Sequence, residues 1–397
     1  MKRLMILGAG PLQLPAIRKG VELGYEVIVT DMNPEAIGFK EPGVIKEIIS
    51  TTDTDGILEA AERYKIDGII TVASDVPMPT IAKVCQALEL PGITPRTALN
   101  ATNKAEMRKC LDEAGVPIPR FFVTACLEEF ISLSRNFSDR FVAKASDNSG
   151  NRGVSLVSDP NDRSKLEEAF TYAKDNTRDG RVLLEDYMEG PEFSIEGISV
   201  NGTYHVIQVT DKITTGAPYF VEMGHTQPSN QSSQVLERIK DVARRGVEAL
   251  GINDGPSHTE IKLTPDGPKI VEIGARLGGG CITSHLVPLS TGVDLNEACI
   301  NIALGKIPDL DIKCKKGAAI RFFTSTPGIF TGIEGMEETV KAKGIVEVGF
   351  LKNTGDFIPE LRTGLDRVGY VISQGDNREE AVAICEEAIK SIKILTR

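Results

Sequence analysis

Short apolar runs alternate with amphipathic stretches from the first residues onward. Residues 4–7, 26–30 and 68–72 are compact β-branched or apolar segments, and helical spacing fills 15–23, 57–64 and 80–88. That alternation predicts a parallel α/β sheet over residues 1–95. Gly8-Ala-Gly10 follows the first run, where a dinucleotide fingerprint would lie, and Asp31 ends the second. Gln13 stands where the third glycine would allow close helix–strand packing. The segment therefore reads as a tight strand-to-helix turn rather than an NAD or FAD site.

Pro91-Gly92 and Pro95 punctuate the chain, and a helix starting near Thr102 or Asn103 runs to about Ala114. The pattern then becomes α+β. Strands are expected at 140–145, 153–157 and 181–185 with a helix at 162–176, followed by longer strands at 192–199 and 204–210 and a helix at 233–250. Residues 210–228 read as one long connection, a length at which loops are often functional. A terminal unit carries strands at 318–323, 346–352 and 369–373 and helices at 336–343 and 379–392. Three domains are expected: 1–95, 96–310 with a mobile lid at about 120–190, and 311–397.

The segment from His258 to Arg276 predicts two strands joined at Thr264-Pro-Asp-Gly-Pro268. Folded symmetrically about Asp266, it sets Glu260 opposite Glu272. Period two puts both glutamates and Lys262 on one face, and Ile261, Leu263, Val271 and Ile273 on the other. Like charges across a ladder are destabilising, unless a divalent cation with a taste for oxygen ligands lies between them. A solvated acidic edge is the alternative.

Composition narrows the class. The chain has 397 residues and a formal net charge of −11, with no basic stripe for a nucleic acid. Its seven cysteines are scattered, without C-x-x-C or zinc spacing. No apolar run approaches a membrane span, and the first residues enter a strand directly, so a soluble, cytoplasmic protein is expected.

Two further segments carry chemistry. Lys144 ends a strand before the loop Ala145-Ser-Asp-Asn-Ser-Gly-Asn-Arg-Gly153. Such a loop, Ser149 included, can offer N–H groups to phosphates, with Gly150 and Gly153 allowing close approach and Lys144 and Arg152 supplying charge; a solvated hairpin loop is the alternative. It is not a Walker A sequence, because no Gly-Lys-Ser/Thr opens a helix. The second is the strand–turn–strand holding Glu185, Asp186, Tyr187, Met188 and Glu192. Its backbone edge could face an adenine and Glu192 ribose hydroxyls, but taken alone it reads as a plain strand–turn–strand.

In order and spacing, these pieces resemble the ATP-grasp carboxylate–amine ligases over essentially the whole chain. The resemblance implies an ATP-grasp fold, α/β and α+β, behind a Rossmann-like pre-domain and before a small C-terminal domain. It implies that Lys104 and Lys144 contact ATP phosphates beneath the loop, that Glu185–Met188 border adenine, and that Glu192 binds ribose. Glu260 and Glu272 would hold one or two Mg²⁺ ions, replaceable by Mn²⁺, and Arg276 would stabilise the transferred phosphoryl group. The implied reaction activates a carboxylate as an acylphosphate and joins it to an amine, either an amino acid or phosphoribosylamine as in glycinamide ribonucleotide synthetase. Partners are these small molecules, with no nucleic acid or membrane, and a homodimer is the default assembly.

One departure stands out. The family reads Glu-x-Asn-x-Arg, whereas this chain has Glu272-Ile-Gly274-Ala-Arg276, one metal ligand short. The Ala-Arg-Leu-Gly-Gly-Gly stretch and Gly364-Leu-Asp-Arg-Val-Gly-Tyr370 look most like the amino-acid-ligase branch. Lys212, Glu222 and His225 are candidates for the acceptor pocket, Arg276 or His285 for the substrate carboxylate, and His258 for orienting Glu260. A non-catalytic ATP-binding module of the same fold is the alternative that Gly274 favours. An NAD-dependent oxidoreductase would leave the hairpin and the Lys144 loop unexplained.

Overall fold

The computed structural model describes residues 1–150 and 152–397. Its first sheet is parallel, in the order Val44–Glu47, Glu26–Thr30, Arg3–Leu7, Gly68–Ile70. Leu4 and Ile6 pack with helices Leu14–Glu22 and Leu295–Ala303, while Met5 and Leu7 join the core around Thr54–Tyr64 and Met78–Ala87. Burial on both faces explains why this strand is an unbroken apolar run. Gln13 fills its turn instead of clearing it, donating to the Val72 carbonyl at 2.7 Å and accepting from the Gly10 N–H at 3.1 Å. The Ala9 N–H is already taken by Asp31 at 2.9 Å, so the turn is satisfied from within.

The central sheet is antiparallel and eight-stranded. Its order is Gly267–Gly274, Gly255–Thr264, Glu192–Val200, Thr203–Thr214, Glu222–Gln227, Gly317–Phe322, Gly369–Gly375, Ile345–Phe350. The last three strands lie beyond residue 310, so the sheet is continuous across the expected start of the terminal unit. Glu222–Gln227 is the join, pairing with Thr203–Thr214 on one side and Gly317–Phe322 on the other.

That strand corrects the reading of 210–228 as one long connection. Thr203–Thr214 runs further than expected, leaving only 215–221 between the two strands. Helix Pro95–Thr102 and strands Phe121–Thr124, Gly328–Glu334 and Lys393–Thr396 are likewise additional to the expected elements.

The lid has its own four-stranded sheet, ordered Phe121–Thr124, Val182–Asp186, Phe141–Ala145, Val154–Val157. Helices Leu127–Ser134 and Arg163–Asp175 close a separate core in which Phe130, Phe137, Phe141 and Phe170 pack ring to ring. A unit with its own core can move as a body. Its Val182–Asp186 strand leads straight into the central sheet at Glu192.

Within the acidic hairpin Glu260 does pair with Glu272, by a different route from simple symmetry. The turn is tighter than expected, with Thr264 opposite Gly267, and a bulge at Glu260/Ile261 restores the register. An extra residue in one strand re-aims its neighbours. Ile270 therefore enters the core in place of Val271, which lines the cavity beside Glu272.

Candidate functional site

A cavity of about 400 Å³ lies between the lid, the central sheet and the N-terminal unit. Its walls include Lys104, Lys144, Ser149, Gly150, Arg152, Glu185–Met188, Glu192, Glu260, Glu272 and Arg276. Gly153 is placed outside it. Its φ is +73°, and a Cβ there would lie 2.7 Å from Asn176 and 2.8 Å from Ala145, so it serves the packing of the lid.

Helix Lys104–Glu113 starts at the cavity mouth because Asn103 caps it, accepting from the Ala105 and Glu106 N–H groups at 3.0 and 3.2 Å. The Lys104 N–H donates to the Ser146 carbonyl at 2.5 Å, and its ammonium to the Asn148 carbonyl at 2.6 Å. The helix start and the loop after Lys144 are thus tied together. One turn on, Arg108 is buried against Glu185 with two bonds of 2.8 and 3.2 Å. Lys144 pairs with the same carboxylate at 2.7 Å. Burial opposes ionisation of Glu185, but Arg108 and Lys144 together hold its pKa down to about 2. Its side chain is therefore taken up by Arg108 and Lys144.

Tyr187 and Phe220 flank Lys262, whose ammonium lies 5.5 and 5.8 Å from their ring centres and donates to the Met188 carbonyl at 3.3 Å. Burial first, then Lys144 and Lys212, lowers the Lys262 pKa.

Lys212 is the centre of the acidic wall. Its ammonium lies 2.7 Å from Glu192, 2.9 Å from Glu222 and 2.8 Å from Glu260, with 3% of the side chain exposed. Burial disfavours the charge, yet three carboxylates raise its pKa well above the ordinary value. His258 spans Glu196 at 2.6 Å and Glu260 at 3.4 Å, between the two carboxylates. Glu272 instead faces Lys104 at 3.2 Å. The two hairpin glutamates are each neutralised by a different ammonium.

These residues fit a divalent cation. Both donors are carboxylate oxygens on one face of a hairpin, and Mg²⁺ completes its shell with water and substrate phosphates. Among the described residues no cluster of three His, Cys, Asp or Glu is gathered for a metal, so the protein alone supplies an incomplete set.

Several residues of the site escaped the sequence reading. Asp75 takes the Arg276 guanidinium in a bidentate pair, 2.9 Å for each bond. It lies just beyond a parallel strand's carboxyl end, where α/β sheets bind ligands, and that position was the available signal. Arg108 follows Lys104 by one helical turn, a spacing that sequence does show. Arg367, inside the Gly364–Tyr370 stretch, reaches the cavity from the terminal unit. It donates to the Gly364 and Glu222 carbonyls at 2.8 and 3.2 Å and lies 3.8 Å from the Phe322 ring centre. His285 does not line the cavity; it pairs with Glu347 at 3.2 Å, so it is not the carboxylate partner expected.

The matches to known proteins agree with this geometry. Residues 138–284 match the ATP-grasp domain, and residues 321–397 match the L-amino acid ligase C-terminal domain 2. Alanine–anticapsin ligase of Bacillus subtilis (strain 168) is 26% identical over 64% of this chain, which spans 57% of that ligase. Phosphoribosylamine–glycine ligase of Methanocaldococcus jannaschii is 25% identical over 98% of this chain and 94% of its own length. The crystal structure of L-amino acid ligase from Bacillus licheniformis superposes with a TM-score of 0.88 at 25% identity, covering 100% of this chain and 99% of that one. No helix among the described residues is long and apolar enough to cross a membrane. With Lys104, Lys144, the acidic hairpin and Arg276 around one cavity, the chain pairs an ATP-grasp domain with an L-amino acid ligase C-terminal domain, and the named relatives it matches are ligases that join a carboxylate to an amine.

Proposed function

We propose that this ligase joins two amino acids, activating the carboxylate of one and accepting the amine of the other. The observation that carries this reading is that Arg367 and Glu222 both line the cavity. Arg367 is fixed by two neutral carbonyls and an aromatic face, so its charge is not cancelled by a direct carboxylate partner. One guanidinium beside one carboxylate suits the two ends of a zwitterion. A phosphoribosyl group would call for several free cations, and here Lys212 is shared by three acids while Arg276 is clamped by Asp75.

In this reading Lys104 and Lys144 bind the nucleotide phosphates, with Ser149, Gly150 and Arg152 over them, and Tyr187 and Met188 beside the base. Glu260 and Glu272 would hold Mg²⁺, which offsets phosphate charge when bound. A substrate carboxylate oxygen attacks the γ-phosphorus, the bond to the bridging oxygen breaks, and ADP leaves. Arg276 stabilises the charge on the transferring group. The amine nitrogen then attacks the acyl carbon, phosphate departs, and the nitrogen loses its extra proton. Lid closure keeps water from the acylphosphate. Mn²⁺ is expected to replace Mg²⁺, and a cytoplasmic homodimer is the expected state.

Incubation with ATP, Mg²⁺ and pairwise mixtures of amino acids should release phosphate and yield a dipeptide by mass spectrometry. Turnover confined to phosphoribosylamine with glycine would replace the reading by its ribonucleotide alternative. Phosphate release in Glu272→Gln equal to the parent would remove the metal assignment.

A further inference from the structure

Four lysines line the cavity, and three of them are paired with acids. Lys104 meets Glu272 at 3.2 Å, Lys144 meets Glu185 at 2.7 Å, and Lys212 is held by Glu192, Glu222 and Glu260. Lys262 differs, making no ion pair among the described residues. Its ammonium donates to the Met188 carbonyl at 3.3 Å and lies 5.5 Å from the Tyr187 ring centre and 5.8 Å from that of Phe220. Both ring distances are near the limit of about 6 Å at which an aromatic face attracts a cation. A cation so loosely held turns readily toward an anion entering the cavity.

The two rings belong to different elements. Tyr187 follows the lid strand Val182–Asp186, whereas Phe220 sits in 215–221, the short loop between Thr203–Thr214 and Glu222–Gln227. That loop is closed at its neck, where the Thr215 N–H donates to the Val221 carbonyl at 2.9 Å and the Phe220 N–H to the Gly216 carbonyl at 2.8 Å. Phe220 has φ +50°, a conformation that bulky residues avoid, so its ring stands beside Lys262 against the preference of its own backbone. Tyr219 lies 5.6 Å from the Arg362 guanidinium, and the chain after Arg362 brings Gly364 and Arg367 to the cavity. Val221 and Glu222, which follow Phe220 directly, line the same cavity.

We propose that Lys262 is a positioning residue that couples the nucleotide to the 215–221 loop: a bound nucleotide draws the ammonium away from Phe220, and the loop resettles with Glu222 at its end. The inference rests on the proposed placing of the base beside Tyr187 and Met188 and of the amino acid at Arg367 and Glu222. It makes the amino-acid wall responsive to the nucleotide, so that this wall takes its final form after ATP has bound.

The chain contains no tryptophan, so Tyr219→Trp puts a single reporter in the loop of the full chain. Titration of that protein with ADP and Mg²⁺ is followed by tryptophan emission and, in parallel, by calorimetry. Emission should change and saturate with the calorimetric Kd. Lys262→Met in the reporter protein should lose most of the emission change while still binding ADP, and Lys262→Arg, which keeps the charge, should retain it. Phe220→Leu leaves all four lysines in place and should lose the change as well, which decides the matter where Lys262→Met binds ADP too weakly. A full-sized emission change in Lys262→Met or in Phe220→Leu would overturn the inference, as would a reporter protein that binds ADP with no change at all. A reporter protein that binds no ADP by calorimetry would instead overturn the nucleotide reading beneath it, and the inference with it.

Discussion

The Lys104 ammonium lies 3.2 Å from both carboxylate oxygens of Glu272, joining a helix start to the acidic hairpin across 168 residues of sequence. The same ammonium holds the Asn148 carbonyl of the loop after Lys144 at 2.6 Å. One charge thus links an acid of the hairpin, the loop and the site proposed for the phosphates. Removing it leaves Glu272 without its cation and the loop without its tether. Lys104→Met should lower kcat roughly 10²- to 10³-fold, the usual cost of losing one aligned transition-state donor, and should raise KM for ATP. Steady-state phosphate release against ATP concentration measures both. A variant with parental kcat would show that Lys104 serves only the fold.

Much of this centre was legible because its parts are local. Glu260 and Glu272 face each other through a short turn, and Asn103-Lys104 is a capped helix start, so near-neighbour rules reach them. Glu222–Gln227 was hidden for the opposite reason. His225, Thr226 and Gln227 are buried to within 1% exposure, so no apolar alternation marks the strand. Their burial is set by partner strands far along the chain. Asp75 was equally out of reach, since its partner Arg276 is 201 residues away. Even the hairpin kept one secret: a single bulge decides that Ile270, not Val271, enters the core, and no local pattern announces it.

Glu185 should carry a measurable share of acid stability. Arg108 and Glu185 side chains are 1% and 2% exposed, and Lys144 is 11% exposed. Breaking a buried pair strands a charge and costs about 3–5 kcal/mol, so Glu185→Ala should shift the denaturant midpoint by that order. The pH sign follows from the depressed carboxyl. Its stabilisation is present above the ordinary value of 4.5 and is lost as pH falls toward about 2. Urea unfolding at several pH values should show a drop across that window in the parent. Its absence there, or its persistence in Glu185→Gln, would contradict the assignment.

Gly190 marks where the lid strand hands over to the central sheet. Its φ is +126°, and a Cβ would fall 2.0 Å from the Leu263 carbonyl oxygen, inside any tolerable contact. The backbone must move, and the Leu263 N–H bond to Pro191 at 3.0 Å moves with it. Gly190→Ala should therefore cost more than the ~1–3 kcal/mol of a strained backbone alone and should raise KM for ATP. Gly202, at φ +77° with nothing within 4 Å, is the control for φ by itself. Equal destabilisation in Gly190→Ala and Gly202→Ala would remove the contact argument.

His285 ties the helical segment after the hairpin to the terminal unit, and alkaline pH should loosen that tie. The Cys281 sulfur and then Glu347, 3.2 Å away, raise its pKa from 6.5 to about 9, against a smaller opposing effect of burial. Glu347 also accepts from the Tyr370 hydroxyl at 2.6 Å, so the acid is fixed in place. A raised folded-state value means the stabilisation is complete below 6.5 and disappears as pH climbs through about 9. Denaturant midpoints of the parent should fall over that interval more steeply than those of His285→Gln, which has no proton to lose. Direct titration of the imidazole by nuclear magnetic resonance gives the independent check. Parallel stability curves for the two proteins, or an imidazole titrating at its ordinary value, would mean that the contact with Glu347 does not persist in solution.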